Sequence, residues 1–336
     1  MDPVQVLSEL RQKRVNRRNF LAGAGALGAA TAFAGCSDDG PIASNPTTTT
    51  TTVSDADILT FALNLEYLEA EFFLHAATGS GLTTTDAGTG AGTVTGGAMI
   101  TATLTAQQQQ YINEIAYAEQ THVQLLRAAL AKAGATVQPR PAINFTAGFA
   151  AIAAAANATT AGAIPATFSP FADFDSFLIG AFAFEDVGVT AYAGAAALLN
   201  GGAQGSPYLA TAAGILAVEA YHAGEVRTLL TGRAITAGSA TAYPYIGYAN
   251  AVSAVRGTLG GGNETPLTFP TSAVLTSATP SNASSIVAAT TANAVGFART
   301  TDQVLHIVYG TAGGAGVTKG GFFPNGLNGT ISVTAA

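Results

Sequence analysis

The sequence predicts an all-α protein built on a four-helix bundle, with a long connection between the second and third helices. Two observations lead to this fold class. Four long segments repeat apolar side chains at helical spacing, and each segment interrupts its apolar row with a glutamate. In the second and fourth segments a histidine follows that glutamate by about one helical turn, at Glu119 and His122 and at Glu219 and His222. A long second connection allows the second and third helices to run parallel.

The composition of the chain limits the classes of function. Charged residues make up 10% of the 336 residues, whereas a typical soluble domain contains about 25%. A surface built from Thr, Ser, Gly and Asn favours an exported protein. The formal net charge is -7 and no basic face with interspersed aromatic residues is present, so a nucleic-acid partner is not expected. The single cysteine excludes an intramolecular disulfide framework.

The first 36 residues have the features of an export signal. Arg17 and Arg18 lie in RRNFL and precede an apolar run over residues 20–35, which is too short for a stable transmembrane helix. Adjacent arginines followed by Phe-Leu resemble a twin-arginine signal. Cys36 ends the run in AFAGC, which resembles a lipoprotein cleavage site, and an incidental or buried cysteine is the alternative. We expect export to the periplasm or the cell surface with a lipid anchor, and no other membrane-spanning segment.

The rest of the chain is expected to form three parts. Residues 37–53 contain NPTTTTTT and form a low-complexity linker. Residues 54–231 hold the four predicted helices. Residues 232–336 carry no recognisable catalytic set, and we expect an irregular, partly helical extension that packs on the bundle, with one helix from Ser284 to Tyr309.

Capping residues set the boundaries of the predicted helices. Ser54 and Asp57 form a capping-box pattern at the start of the first helix, and Thr105 and Gln108 form one at the start of the second. In the fourth helix Ser206 is the predicted cap and a proline occupies the first turn. The helices are predicted at residues 54–77, 105–133, 174–199 and 206–231.

The six polar side chains on the apolar rows predict a metal centre. They are Glu66, Glu119, His122, Glu185, Glu219 and His222. Unpaired carboxylates are costly to bury, and two divalent cations would balance four of them, with the imidazoles as further ligands. Glutamate and histidine at a spacing of three residues lie on the same side of a helix and can converge on one ion. Hard carboxylates with imidazole suit both Fe and Mn, so the sequence predicts two Fe or Mn ions without choosing between them.

The chain resembles a bacterial and plant ferritin-like family that includes desiccation-related proteins. The segments that carry the resemblance are LNLEYLEAEFF, FEDVGVTAY, FARTTDQVLHIVYG and GGFFPNGLNG. The resemblance implies a ferritin-like four-helix bundle with a di-metal site. It further implies that Glu66 and Glu185 are terminal ligands, that Glu119 and Glu219 bridge the two ions, and that His122 and His222 each complete one ion. Glu69 lies one turn from Glu66 and is the alternative ligand on the first helix.

Other side chains near these rows are assigned by their place on the helices. Glu71 and Glu114 are expected to face solvent. His75 and His306 are expected to be structural, with a position beside the ligands as the alternative for His75. Tyr117, Tyr192 and Tyr221 are expected to pack as aromatic side chains, with a position near the metals as the alternative. Asp186 and Arg227 are candidates for hydrogen bonds to the ligands.

Three functions are compatible with this pattern. The first is a redox enzyme that reacts with O₂ or peroxide in stress protection, either as a ferroxidase or with a catalase-like activity. The second is a non-enzymatic stress protein that binds or sequesters metal, and the third is a structural surface protein. Intact ligands argue against the third. The pattern allows a homo-oligomer, but the tether and the extension argue against a ferritin cage.

Overall fold

A computed structural model describes residues 53–160, 163–199, 206–239, 241–268, 289 and 294–335. Thr52–Ala336 form one compact unit. The predicted export and lipidation residues Arg17, Arg18 and Cys36 lie outside the described residues.

The described part of the chain forms eight α-helices and two short strands, so the all-α prediction is confirmed. The helices are α1 (Asp55–Thr78), α2 (Thr84–Ala87), α3 (Ala106–Lys132), α4 (Phe145–Thr159), α5 (Phe174–Ala196), α6 (Leu209–Ala237), α7 (Tyr245–Leu259) and α8 (Thr301–Tyr309). The strands β1 (Val94–Thr95) and β2 (Ile143–Asn144) pair in parallel. The four bundle helices are α1, α3, α5 and α6.

The predicted capping boxes begin the first two bundle helices. The Ser54 hydroxyl accepts from the Asp57 backbone amide, and the Asp57 carboxylate accepts from the Ser54 amide. Thr105 and Gln108 make the same pair of bonds at the start of α3. The start of α6 differs from the prediction, because the helix begins at Leu209 with Tyr208 as its N-cap residue. The Ser206 hydroxyl still accepts from the Tyr208 amide, at 3.2 Å, and it donates to Asp55.

Contacts at the ends of the bundle helices fix their directions. The Thr101 amide donates to the Phe171 carbonyl at 3.1 Å, which places the start of α3 beside the start of α5. Both helices run from there towards the middle of the bundle, so α3 and α5 are parallel, as predicted. Arg233 near the end of α6 pairs with Asp175 at the start of α5, so α6 is antiparallel to α5.

The two helices that each contribute one predicted ligand, α1 and α5, are buried on almost every side. Phe72 of α1 packs against Phe177 and Phe184 of α5 and against Phe145 of α4. Contrary to expectation, the chain contains a further segment whose length and composition would allow it to span a membrane, namely α5. However, 83% of its most apolar window is buried inside the protein, which is typical of a core helix.

The region after the bundle packs on one side of it, where α7 lies against α4 and α5 and α8 lies against α5. The prediction of a helix from Ser284 to Tyr309 gave the wrong first residue. Residues 294–300 are not helical, and α8 begins at Thr301 because the Thr300 side chain and Gln303 form a capping box there. Residues 284–288 lie outside the described part of the chain.

Candidate metal centre

The bundle brings all six predicted ligands together in its interior. Glu66 comes from α1, Glu119 and His122 from α3, Glu185 from α5, and Glu219 and His222 from α6. The four glutamates are 0% exposed and the two histidines are 6% exposed. Each ligand stands on the inward row of its helix, so the neighbouring apolar residues fold around the site and exclude water from it.

Three carboxylates surround the ring nitrogen Nδ1 of His122. The distances from this nitrogen are 3.3 Å to Glu66 Oε2, 3.1 Å to Glu119 Oε2 and 3.4 Å to Glu219 Oε1. Of these three contacts only the one with Glu119 is aligned as a hydrogen bond, so hydrogen bonding does not account for the other two oxygens around this nitrogen. These four residues can hold one metal ion.

A second group forms around Nδ1 of His222. This nitrogen lies 3.1 Å from Glu119 Oε1 and 3.4 Å from Glu185 Oε2, and the three residues can hold a second ion. Glu119 belongs to both groups, because one carboxylate oxygen faces each histidine. This is the geometry of a bridging ligand. Glu219 joins only the first group, so its bridging role stays a prediction.

The donor set fits metal ions better than it fits a hydrogen-bonded core. Among the buried carboxylate oxygens, Glu66 Oε2, Glu119 Oε1 and both oxygens of Glu185 and Glu219 lack a hydrogen bond. Although several lie within 3.4 Å of an imidazole nitrogen, those contacts are not aligned as hydrogen bonds. Buried polar atoms normally have partners. Ligands bonded to one ion at about 2.1 Å lie roughly 3.0 to 3.4 Å apart at angles of about 90° to 110°, which matches the distances around both histidines.

Without metal the centre holds protons. Burial raises the pKa of both Glu66 and Glu185 to about 7. The nearby imidazoles, His122 for Glu66 and His222 for Glu185, lower these pKa values but do not outweigh burial. Burial would also raise the pKa of Glu119, but the adjacent imidazoles of His122 and His222 outweigh it and lower this pKa to about 2. Bound cations would replace these protons, because metal ligands must be deprotonated.

The two imidazoles are held in their charged form by the same carboxylates. Burial alone would lower the pKa of His222, but Glu185 and Glu119 raise it to about 11. The pKa of His122 is raised for the corresponding reason, with Glu66 as the strongest opposing charge. Without metal, the two imidazolium groups therefore supply part of the positive charge that balances the four carboxylates.

Two further polar side chains adjoin the centre. Tyr192 is buried, and its hydroxyl donates to Glu66 Oε1, which fixes the orientation of that carboxylate. Glu69 is 4% exposed and lies outside both ligand groups. Burial, followed by repulsion from Glu219 and Glu119, raises the pKa of Glu69 well above its usual value. The structure thus places Glu66 in the centre and Glu69 beside it.

Several predicted neighbours of the centre have other roles. Glu71 was expected to face solvent but is fully buried, because it pairs with Arg140 and lies 3.3 Å from His75 Nδ1. Glu114 is exposed, as predicted. Tyr117 and Tyr221 neither pack in the core nor approach the ligands, since they are 71% and 76% exposed.

Asp186 and Arg227, the candidates for hydrogen bonds to the ligands, make their hydrogen bonds within the described residues to other partners. These two side chains pair with each other through two bonds of 2.9 and 2.7 Å. Arg256 also donates to Asp186, at 2.8 Å, and to Glu264, at 2.7 Å. This buried ion network ties α5, α6 and α7 together behind the centre. His306 is structural, as expected, with Nδ1 3.0 Å from the Thr311 carbonyl oxygen.

Sequence reasoning missed the direct contact of Tyr192 with a ligand and the participation of Arg256. The position of Tyr192, seven residues after Glu185 on the inward row of its helix, was a usable signal for the first. No local signal marks Arg256, because its partner Asp186 is 70 residues away.

Comparison with known proteins agrees with this architecture. Residues 54–232 match the family model of the ferritin-like domain. The chain is 28% identical over 282 residues to ferritin-like catalase Nec2 of Nesocodon mauritianus. This alignment covers 83% of this chain and 85% of that protein. It is 31% identical over 209 residues to desiccation-related protein PCC13-62 of Craterostigma plantagineum, over 62% of this chain and 63% of that protein. No solved structure matches the chain.

The matched region contains all four bundle helices except the last turn of α6, and it includes both groups of buried candidate ligands. More than half of the chain is covered by the family model. The chain belongs to the ferritin-like domain family.

Proposed function

We propose that the protein is a di-metal carboxylate enzyme that removes hydrogen peroxide in stress protection. The observation that carries the proposal is the position of Glu119, which directs one oxygen towards the carboxylates around His122 and the other towards those around His222. One carboxylate between two His-carboxylate groups suits two ions that act together. A lone structural ion would require only one of these groups.

The side chains of this chain would supply the binding and the charge balance. Four carboxylates carry four negative charges, which two divalent ions neutralise, and the two imidazoles contribute neutral nitrogen ligands once they lose their protons. Either Fe or Mn fits these ligands, and when bound such ions supply reversible electron transfer to peroxide or O₂. The Tyr192 hydroxyl orients Glu66, and the surrounding apolar residues keep water away from the ligands.

The comparisons favour peroxide over Fe(II) as the substrate. A relative that spans most of both chains is named a catalase, and all six predicted ligands lie on the inward rows of this chain. Oxidation of Fe(II) by O₂ is the second enzymatic candidate, because the same ligands would hold iron. A metal-sequestering stress protein is the non-enzymatic alternative, and the similarity to a desiccation-related protein supports it.

Peroxide consumption with O₂ release tests the proposal. Protein loaded separately with Mn and with Fe should convert two molecules of peroxide into two of water and one of O₂. Glu119→Ala should lose metal at both positions and lose activity, because Glu119 serves both groups. His122→Ala should mainly weaken one position. Glu114→Ala is the matched control, since Glu114 is exposed on the same helix as Glu119.

Distinct outcomes separate the candidates. Activity with Fe(II) and O₂ but not with peroxide would favour the ferroxidase. Full metal content with neither activity would refute an enzyme and leave the sequestering protein. Absence of metal from wild-type protein, after purification and after loading, would refute the di-metal centre itself.

We further propose that the protein is exported by the twin-arginine route and anchored by lipid at Cys36. The proposal rests on the sequence of the first 36 residues. Replacing Arg17 and Arg18 by lysine should retain the precursor in the cytoplasm, and normal export of that variant would contradict the route. Cys36→Ala should release the protein from membranes, and unchanged membrane association would contradict the anchor.

A further inference from the structure

An apolar cavity of about 470 Å³ lies between the bundle and the region that follows it. Its walls come from α1, α4, α5, α7 and α8 and from the loop that contains Phe322. Ala155 of α4 and Thr258 of α7 are exposed members of the lining on two helices that pack together, so the cavity meets solvent on this side. The C-terminal region is therefore part of a built pocket.

The cavity reaches the metal centre at Gly188. This glycine lies in the cavity wall, and a methyl group at its position would overlap Glu219 Oε2 and stand 3.3 Å from Glu69 Oε1. A side chain at Gly188 would displace the Glu219 carboxyl group and crowd that of Glu69. The wall of the cavity and the ligand Glu219 are thus in direct contact.

The size of the cavity and the chemistry of its wall define what it would hold. A water molecule occupies about 30 Å³ in the liquid, so the volume far exceeds what peroxide or O₂ requires, and it falls within the range of organic-ligand pockets. Glu69 and Arg256 are the charged residues among the described residues of the lining. Asp186 and Glu264 balance the charge of the Arg256 guanidinium, so it does not offer an unpaired charge to an anion, although its Nε lacks a hydrogen-bond partner among the described residues.

Glu69 supplies the polar end of the cavity. The residue as a whole is 4% exposed and lines the cavity, and its carboxyl group makes no hydrogen bond to another residue in the described ranges. Buried polar groups are normally satisfied, and a ligand hydroxyl would satisfy this one. We propose that the cavity binds an uncharged, mainly apolar organic molecule with one hydroxyl group, a phenol or an alcohol, with its hydroxyl at Glu69 and its body towards α4 and α7.

Binding of 4-fluorophenol, followed by fluorine NMR on the full chain, tests the site. Fluorobenzene lacks the hydroxyl and should bind about tenfold more weakly, because one hydrogen bond to a buried acceptor is lost. Ala155→Phe and Thr258→Phe should each weaken 4-fluorophenol binding at least about tenfold by filling the cavity. Ala128→Phe places the same side chain on the exposed surface of α3 and should leave binding unchanged.

Glu69→Leu tests the polar end separately. This variant should bind 4-fluorophenol and fluorobenzene equally, and a retained preference for the phenol would refute the role of Glu69. The amide signal of Gly188 in glycine-labelled protein should shift on addition of 4-fluorophenol, and an unshifted signal at saturation would refute the inner position of the ligand.

Whether the cavity binds this ligand does not depend on the proposed function. Only a use of the bound ligand at the metal centre rests on that function. The binding should be present both before and after metal is removed by a chelator. Failure of wild-type protein to bind 4-fluorophenol, or equal binding by wild type and both cavity-filling variants, would overturn the site. Loss of peroxide activity with intact binding would overturn only the proposed function.

Discussion

Replacing Glu185 by glutamine should change how the stability of the metal-free protein depends on pH. In the folded protein burial raises the pKa of Glu185 from an ordinary 4.5 to about 7. An acid whose pKa is raised by folding stabilises the fold below its unfolded pKa, and this contribution is lost as pH rises through the folded pKa. The wild-type protein without metal should therefore lose stability between pH 5 and pH 8.

The size of this loss follows from the two pKa values. The difference between 4.5 and about 7 corresponds to about 3 kcal/mol, most of which falls between pH 5 and pH 8. Glutamine has the same shape and does not titrate, so Glu185→Gln should reduce the pH-dependent loss by about this amount. Any constant cost of burying the amide affects both pH values equally and cancels from the comparison.

Urea unfolding of chelator-treated protein at pH 5 and pH 8 measures the effect. Glu114→Gln is the matched control, because Glu114 is exposed and should leave the pH dependence unchanged. Added Mn²⁺ at pH 8 should stabilise the wild type more than Glu185→Gln, because bound metal stabilises the fold and the variant has lost one ligand. An identical loss of stability in the wild type and Glu185→Gln would refute the electrostatic account of the centre.

Three further substitutions test the surroundings of the centre. Asp186→Asn should lower the free energy of unfolding by about 3 to 5 kcal/mol, measured by urea unfolding, because it leaves buried guanidinium groups without their full countercharge; a change below 1 kcal/mol would contradict the importance of the network. Tyr192→Phe should weaken metal binding about 10- to 100-fold in a competition assay with a chelator, because Glu66 loses its hydrogen bond, and unchanged affinity would contradict this role. Gly188→Ala should reduce metal content, measured by elemental analysis, because the new methyl group displaces Glu219, and full occupancy would show that the ligand can move without loss.

The bundle and the rows that carry the candidate ligands were predictable because their signals are local. Capping boxes at Ser54 and Thr105 begin helices within a few residues of sequence, and a glutamate on an apolar row is visible at helical spacing. The same logic placed Glu119 beside His122. The three-dimensional site then follows from four amphipathic rows that face one interior.

The errors concern contacts between distant parts of the chain. Glu71 was assigned to solvent because it lies off the inward row, yet Arg140, 69 residues away, covers it. Asp186 was linked to the ligands, but its strongest partners are arginines of α6 and α7. Whether a polar side chain is exposed depends on what packs over its helix, and helical spacing alone does not contain that information.

The number of metal ions per chain, and their positions, test the central claim most directly. Crystals of the Mn-loaded protein should show two anomalous scattering peaks per chain, one beside each of His122 and His222, with the Glu119 carboxylate between them. Glu119→Ala crystals should lose both peaks. A single peak, or peaks away from these residues in protein whose solution metal content is two per chain, would contradict a di-metal centre bridged by Glu119.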